Sequence, residues 1–279
     1  MKKYLVIGNP INHSLSPKLH NYWFNKYKLI NHVYDKREVL QTDLEKVIGE
    51  IRKDKIAGIN ITVPFKKMVI PYCDKLDQTA EDLQSVNTIS KKNDQIIGWN
   101  TDSIGFQDSI TQVRNFDKSK PVLILGAGGV TSSVLDALWG FGFKKIYLSN
   151  RTKDKASELK AQFDEKFDKI ELLNWEKKPA EKCLIVINTT SLGLKESDKL
   201  NYDFSDYKNP DLKDISNNFV FVDLIYNQKT NFLKDAEKRG NLIIDGKGMF
   251  LSQAKHAFNI WTNILPKIDK EVLNLIAND

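Results

Sequence analysis

Lys66 and Asp102 are the residues whose types and settings could do chemistry. Lys66 follows a strand-like run and the turn Val63-Pro64-Phe65, and Asp102 closes the run Gly98–Asp102 (GWNTD). An amine facing a carboxylate makes a proton-transfer partner for a substrate hydroxyl or carbonyl oxygen. A charged Lys66 would also attract a carboxylate substrate or stabilise a developing alkoxide. The competing view is an ordinary surface lysine and a helix cap.

Four short segments around this pair place compact hydrogen-bonding side chains after a strand or in a tight turn. They are Asn12–Pro17 (NHSLSP), Asn60–Lys66 (NITVPFK), Ser85–Thr88 (SVNT) and Gly98–Asp102. Each has a plain structural explanation. Ser14 or Ser16 before Pro17 can cap a helix, and Thr101 or Asp102 can cap the next one. Together they suggest a pocket for a polyhydroxylated ligand.

A second constellation lies mid-chain. The apolar run Val122–Leu125 enters the glycine turn Gly126, Ala127, Gly128, Gly129 and then a helical pattern. In that context Gly126 permits a tight turn, and Gly128 lets the backbone approach a pyrophosphate at the helix N-terminus. The usual third small residue falls at Thr131, so the fingerprint is imperfect. An NAD-type site places an acid at the end of the second strand. Here Asn150, Arg151 and Thr152 follow Lys145–Ser149 instead. An arginine there can pair with a 2′-phosphate and points to NADP, unless it merely flanks a solvated loop. The run Asn188–Gly193 (NTTSLG) puts Thr189 at a third strand end, where such folds bind ligands.

Elements must hold these groups in place. Strand-like runs at Tyr4–Ile7, Val33–Tyr34, Ile56–Val63, Val86–Ile89 and Ile96–Trp99 alternate with helical patterns at Lys18–Lys28, Asp43–Arg52 and Thr79–Gln84. A helix over Ser103–Val113 and a polar break at Arg114–Lys120 lead to a second alternation. There the strands are Val122–Leu125, Lys145–Ser149, Ile170–Leu173, Leu184–Asn188, Phe219–Leu224 and Asn241–Ile244. The helices between them are Thr131–Trp139, Asp154–Phe167 and Asn231–Arg239. The stretch Lys195–Asn218, with Pro210, reads as a long loop. A terminal helical region, Phe250–Ala277, breaks at Pro266. The fold class is α/β in two domains.

The 279 residues suit two domains. The formal charge of +6 comes from basic residues scattered among acids. That favours anionic small ligands over nucleic acid. Cys73 and Cys183 have no ligand-like spacing, so they read as reduced thiols and no metal is expected. The apolar run after Met1 is too short for a signal peptide, and no stretch would span a bilayer. A cytoplasmic protein without membrane partners, monomer or homodimer, is the expectation.

Taken together, the chain resembles the shikimate dehydrogenase family over nearly its whole length. The motifs are Gly8–Pro17 (GNPINHSLSP) with His20 and Asn21, Asn60–Lys66, Val86–Thr88, Gly98–Asp102, Gly126–Gly129, Asn150–Thr152, Asn188–Gly193 and Asp245–Met249 (DGKGM) with Gln253. The resemblance implies an NADP-dependent oxidoreductase that interconverts 3-dehydroshikimate and shikimate in chorismate and aromatic amino acid biosynthesis. It implies that Ser14 and Ser16 hold the substrate carboxylate, and that Thr62, Asn87 and Gln253 bind its hydroxyls. Lys66 and Asp102 match the catalytic pair and also touch substrate, and Tyr226 matches a tyrosine lining the cleft. The glycine turn, Asn150, Arg151, Thr152, Lys155, Thr189 and Gly246 match cofactor contacts.

By the same resemblance, residues 1–102 and 246–279 form a discontinuous substrate and catalytic domain, and 103–245 a Rossmann-like NADP domain. Where many relatives carry a second arginine this chain has Lys155, which keeps charge but loses the bidentate fork. Ser85 and Ser103 replace small residues without removing a functional group. The rival readings are an NAD-using quinate/shikimate dehydrogenase and a non-catalytic sensor of quinate or shikimate.

Overall fold

Apolar runs punctuated by glycine and proline become two six-stranded sheets in the computed structural model. It describes residues 1–195, 198, 200–208 and 219–277. The chain divides into two compact units, Met1–Gly105 with Leu251–Asp279, and Phe106–Phe250.

The first unit is built on β1 (Lys2–Gly8), β2 (His32–Glu38), β3 (Gly58–Ile61), β4 (Lys75–Leu76), β5 (Thr88–Lys92) and β6 (Gln95–Trp99). Their spatial order is β2-β1-β3-β5-β6-β4. β1 pairs in parallel with β2 and β3, whereas β5 runs antiparallel to β3 and β6. Tyr4, Leu5, Val6 and Ile7 are all buried, as expected for an inner strand covered on both faces. Helix α1 (Ser16–Lys26) buries Leu19, His20, Trp23 and Phe24. Helix α2 (Leu44–Arg52) buries Leu44, Val47, Ile48 and Ile51, a helical stripe facing the core. Helices α3 (Gln78–Leu83) and α4 (Asp102–Ser109) flank the site strands.

Further along, α5 (Thr131–Gly140), α6 (Lys153–Phe163) and α7 (Asn231–Lys238) serve the second sheet, and α8 (Lys247–Thr262) and α9 (Lys270–Ala277) close the chain. The closing helices come back to the first sheet. Trp261 of α8 donates its indole N–H to the Ile89 carbonyl at 3.0 Å. A Cβ at Gly58 would lie 2.3 Å from the same indole nitrogen, so glycine is what admits that ring. Lys26 ties α1 to Asp269 and Glu271 at 2.6 and 3.0 Å.

The second unit holds β7 (Val122–Leu125), β8 (Lys145–Ser149), β9 (Lys169–Leu173), β10 (Ile185–Asn188), β11 (Val220–Asp223) and β12 (Leu242–Ile244). All its pairings are parallel, in the order β12-β11-β10-β7-β8-β9. This is the doubly wound arrangement, and its direction reverses between β7 and β10, where such sheets bind ligands. The α/β class and the Rossmann-like sheet expected from the sequence are both present.

Several boundaries differ from expectation. β2 is seven residues long, because its charged half, Asp35–Glu38, lies on a sheet edge where apolar residues are not required. β3 is shorter than the apolar run suggests, since the chain turns at Pro64, which cannot donate to a ladder. β4 is a two-residue strand with no periodicity to announce it. α4 gives way to a 3-10 turn over Thr111–Asn115. The polar-looking stretch from Lys195 contributes Tyr202, Phe204 and Tyr207 to the core, so alternate aromatics outweigh its polar average. The rest of that expected loop, 209–218 with Pro210, lies outside the described residues.

Candidate active site

Lys66 is placed by the turn that ends β3. Phe65 is buried in the core, the Phe65 N–H bonds the Thr62 carbonyl at 2.9 Å, and the Lys66 carbonyl accepts the Val86 N–H at 2.9 Å. The ammonium then meets Asp102 Oδ2 at 2.6 Å, with side chains 12% and 7% exposed. Lys66 is therefore no ordinary surface lysine. A pair this buried is tenable only with further hydrogen bonds around it, and on the carboxylate side they are present. Asn87 Nδ2 donates to Asp102 Oδ1 and to Thr101 Oγ1, both at 2.9 Å. Asn87 Oδ1 accepts the Thr101 N–H at 2.9 Å, which fixes the amide's orientation. Capping at the start of α4 falls to Asn100, whose Oδ1 accepts the N–H groups of Asp102 and Ser103. The view of Asp102 as a mere helix cap is thus corrected.

A chain of buried hydrogen bonds leads away from this pair. Thr88 Oγ1 donates to Asn87 Oδ1 at 3.0 Å and accepts from Asn60 Nδ2 at 2.9 Å. Asn60 Oδ1 accepts the Tyr34 hydroxyl at 2.7 Å, and the Ser16 side chain hydrogen-bonds that same hydroxyl. Burial holds the Tyr34 phenol well above its ordinary pKa. Tyr34 itself is fixed on three sides. Its ring stacks on His20 at 4.3 Å, and the Asn21 amide bonds its backbone N–H at 2.9 Å and its carbonyl at 2.8 Å.

The expected substrate serines open α1. The cap position there is Leu15, with no side-chain cap bond, and Ser14 Oγ accepts the Ser16 N–H at 3.3 Å. Thr62 is half-buried beside Gly8, where a Cβ would come within 2.4 Å of its Cγ2. Gln253 lies on α8 against the start of α4, and a Cβ at Gly105 would sit 2.9 Å from the Gln253 Cβ. Ser14, Ser16, Thr62, Lys66, Asn87, Asp102 and Gln253 all belong to the first unit.

The second unit gathers the expected cofactor residues at the carboxyl edge of its sheet. Gly126 has φ +110°, and a Cβ there would lie 2.6 Å from Thr189 Oγ1. Thr189 Oγ1 donates to the Leu125 carbonyl at 2.9 Å, so this side chain buttresses the turn. Asn150 Oδ1 accepts the Ala127 N–H at 3.1 Å, joining the two strand ends. A Cβ at Gly128 would meet open space, so nothing inside the fold demands a glycine there. Helix α5 begins after Gly129 at Thr131, without a side-chain cap. Arg151, Thr152 and Lys155 are exposed at the start of α6. Among the described residues Arg151 has no hydrogen bond or ion pair. An uncapped helix start behind a bare glycine, with a free guanidinium at the next strand end, fits the diphosphate and 2′-phosphate of NADP. Tyr226 stacks on Phe250 at 4.5 Å. Gly246 bonds the Ile225 carbonyl, and a Cβ there would lie 2.2 Å from the Leu224 carbonyl oxygen.

Sequence reasoning gave no individual role to Tyr34, Thr88, Asn60 or Asn100, and to Thr101 only that of a possible helix cap. The last four stand inside the quoted motifs, whereas Tyr34 is an aromatic in a strand and carries no local signal. Among the described residues no group of three or more His, Cys, Asp or Glu could hold a metal ion. Cys73 and Cys183 are unpaired, and burial pushes both thiols up to about 12.

Residues 6–89 match the family described as the shikimate dehydrogenase substrate binding domain, and residues 110–197 match shikimate / quinate 5-dehydrogenase. The chain is 50% identical to the shikimate dehydrogenase (NADP(+)) of Pelagibacter ubique (strain HTCC1062), covering 99% of this chain and 98% of that one. Shikimate dehydrogenase of Aquifex aeolicus has a similar crystal structure, with TM-score 0.86, 36% identity, and coverage of 100% and 98%. So does shikimate 5-dehydrogenase of Listeria monocytogenes in complex with shikimate and NAD, with TM-score 0.83, 30% identity, and coverage of 98% and 96%.

Proposed function

The chain belongs to the shikimate dehydrogenase family, and from that premise we propose that it catalyses the reversible NADP-dependent reduction of 3-dehydroshikimate to shikimate. The observation that carries this reading is the buried Lys66–Asp102 pair at 2.6 Å, joined by hydrogen bonds to Ser16. The first unit is the substrate and catalytic domain, and the second holds NADP.

When bound, the cofactor supplies the hydride. The chain's own residues bind, orient and move a proton. Ser14 and Ser16 donate hydroxyls to the substrate carboxylate, while Thr62, Asn87 and Gln253 hold the rest of the ring. Both Asn87 Nδ2 hydrogens are already directed at Asp102 and Thr101, so Asn87 binds a substrate hydroxyl by sharing one of them. Lys66 and Asp102 deliver the proton to the oxygen formed at the reduced carbon and recover it in reverse. The two act as a unit, and the proton is assigned to the pair.

Gly126, Ala127, Gly128, Gly129, Thr189 and Gly246 shape the backbone bed of NADP. Asn150, Arg151, Thr152 and Lys155 take the adenosine phosphate. No helix among the described residues is long and apolar enough to cross a membrane. Unpaired thiols fit a cytoplasmic monomer or homodimer.

The test is a spectrophotometric assay with shikimate and each cofactor. We expect reduction of NADP, with a higher kcat/KM for NADP than for NAD. A reversed ratio rejects the cofactor assignment, and tight shikimate binding with no turnover would mark a sensor instead.

A further inference from the structure

Three residue types suited to capping a helix stand in a row where α4 begins, at Asn100, Thr101 and Asp102. Such side chains compete for the unpaired N–H groups of a first turn. Asn100 takes them, its Oδ1 accepting the Asp102 N–H at 2.9 Å and the Ser103 N–H at 3.3 Å. The amide cannot turn round, because Nδ2 donates to the Ser85 carbonyl at 2.8 Å. Its backbone N–H is held by the Asp77 carboxylate at 3.2 Å. Thr101 is engaged with Asn87 through both its N–H and its hydroxyl. The Asp102 carboxylate is thereby left to Lys66 and Asn87.

We propose that Asn100 is a positioning residue, which by capping α4 keeps the Asp102 carboxylate off the helix's own N–H groups and on the Lys66 ammonium. The proposal rests on the reading of Asp102 as half of the proton-transfer pair. The pull that Asn100 opposes is general, since a carboxylate is favoured at a helix N-terminus and aspartate is a preferred cap. A good cap shifts a competition of this kind by roughly two- to thirtyfold.

Asn100→Ala opens the cap to Asp102 itself. We expect kcat to fall about tenfold, with the KM for shikimate held within about twofold. The melting temperature should fall by a similar amount in Asn100→Ala and Asn100→Ser, because both lose the buried amide bond to the Ser85 carbonyl while a cap remains. Asn100→Ser keeps a capping oxygen while losing the amide that bonds Ser85, and should keep kcat within about threefold of wild type. Asp102→Asn, assayed in parallel, separates the two layers. If it retains wild-type kcat, the role of Asp102 fails. If it is inactive while Asn100→Ala is fully active, only the role of Asn100 fails. Equal kcat for the serine and alanine variants, a loss that appears in KM, or an alanine variant that does not fold would each overturn the proposal.

Discussion

Lys66 is surrounded by groups that hold it still, which makes it a sharp probe of the chemistry. Its turn is anchored by Phe65, its carbonyl by the Val86 N–H, and its ammonium by Asp102. Lys66→Ala removes one half of the proton-transfer pair but leaves Ser14, Ser16 and Thr62 in place for substrate. We expect kcat to fall by about 10²–10⁴-fold, the usual share of general acid–base catalysis, with a much smaller change in the KM for shikimate. Steady-state kinetics in both directions check this. A rise in KM with kcat intact would demote Lys66 to a binding group.

At the scale of elements, the β7–α5 turn separates two uses of glycine. Gly126 sits at φ +110° against Thr189 and Thr190, whereas a Cβ on Gly128 would project into open space. Gly126→Ala should therefore destabilise the fold by about 1–3 kcal/mol through strain and crowding. Gly128→Ala should leave the unfolding free energy within about 0.5 kcal/mol of wild type and act on the KM for NADP instead. Urea melts paired with cofactor titrations test the contrast, and equal destabilisation by both would remove Gly128 from the cofactor bed. The same turn shows what the sequence makes legible. An apolar strand, a glycine turn and a helix recur with fixed chemistry, so the second sheet is readable from its residues. Edge strand β2 is less so, because its outer half is charged, and β4 is too short to have a period. Tyr202, Phe204 and Tyr207 are buried by tertiary packing that local polarity conceals. In the site, Lys66 and Asp102 announce themselves by setting. Tyr34 and the capping of α4 by Asn100 do not, because their roles depend on partners distant in sequence or on which of three suitable side chains wins.

At the scale of the whole molecule, one fully buried titratable group in each unit should respond to acid with opposite sign. In the first, His20 is fully buried among aromatic rings, with neither ring nitrogen bonded among the described residues, and desolvation lowers its pKa to about 3. An unfolded histidine titrates near 6.5, so between those values the unfolded chain binds the extra proton. Stability contributed at His20 is thus present above about pH 6.5 and is lost as pH falls toward 3. In the second unit Asp223 is buried at the end of β11, bonded by Thr230, Asn188 and the Ile225 N–H. Burial, the leading cause, raises its pKa. The folded chain then takes up the proton first, and acidification relieves that site until the unfolded aspartate titrates as well. We therefore expect hydrogen-exchange protection factors in β1, β3 and α1 to fall more than in β7, β10 and β11 as pH drops below about 6.5. His20→Phe keeps a ring against Tyr34 and removes the proton acceptor. It should flatten the acid dependence of the first unit and leave that of the second unchanged. Parallel loss of protection in both units, or an unaltered slope in the His20→Phe protein, would show that the acid response lies in the exposed carboxylates.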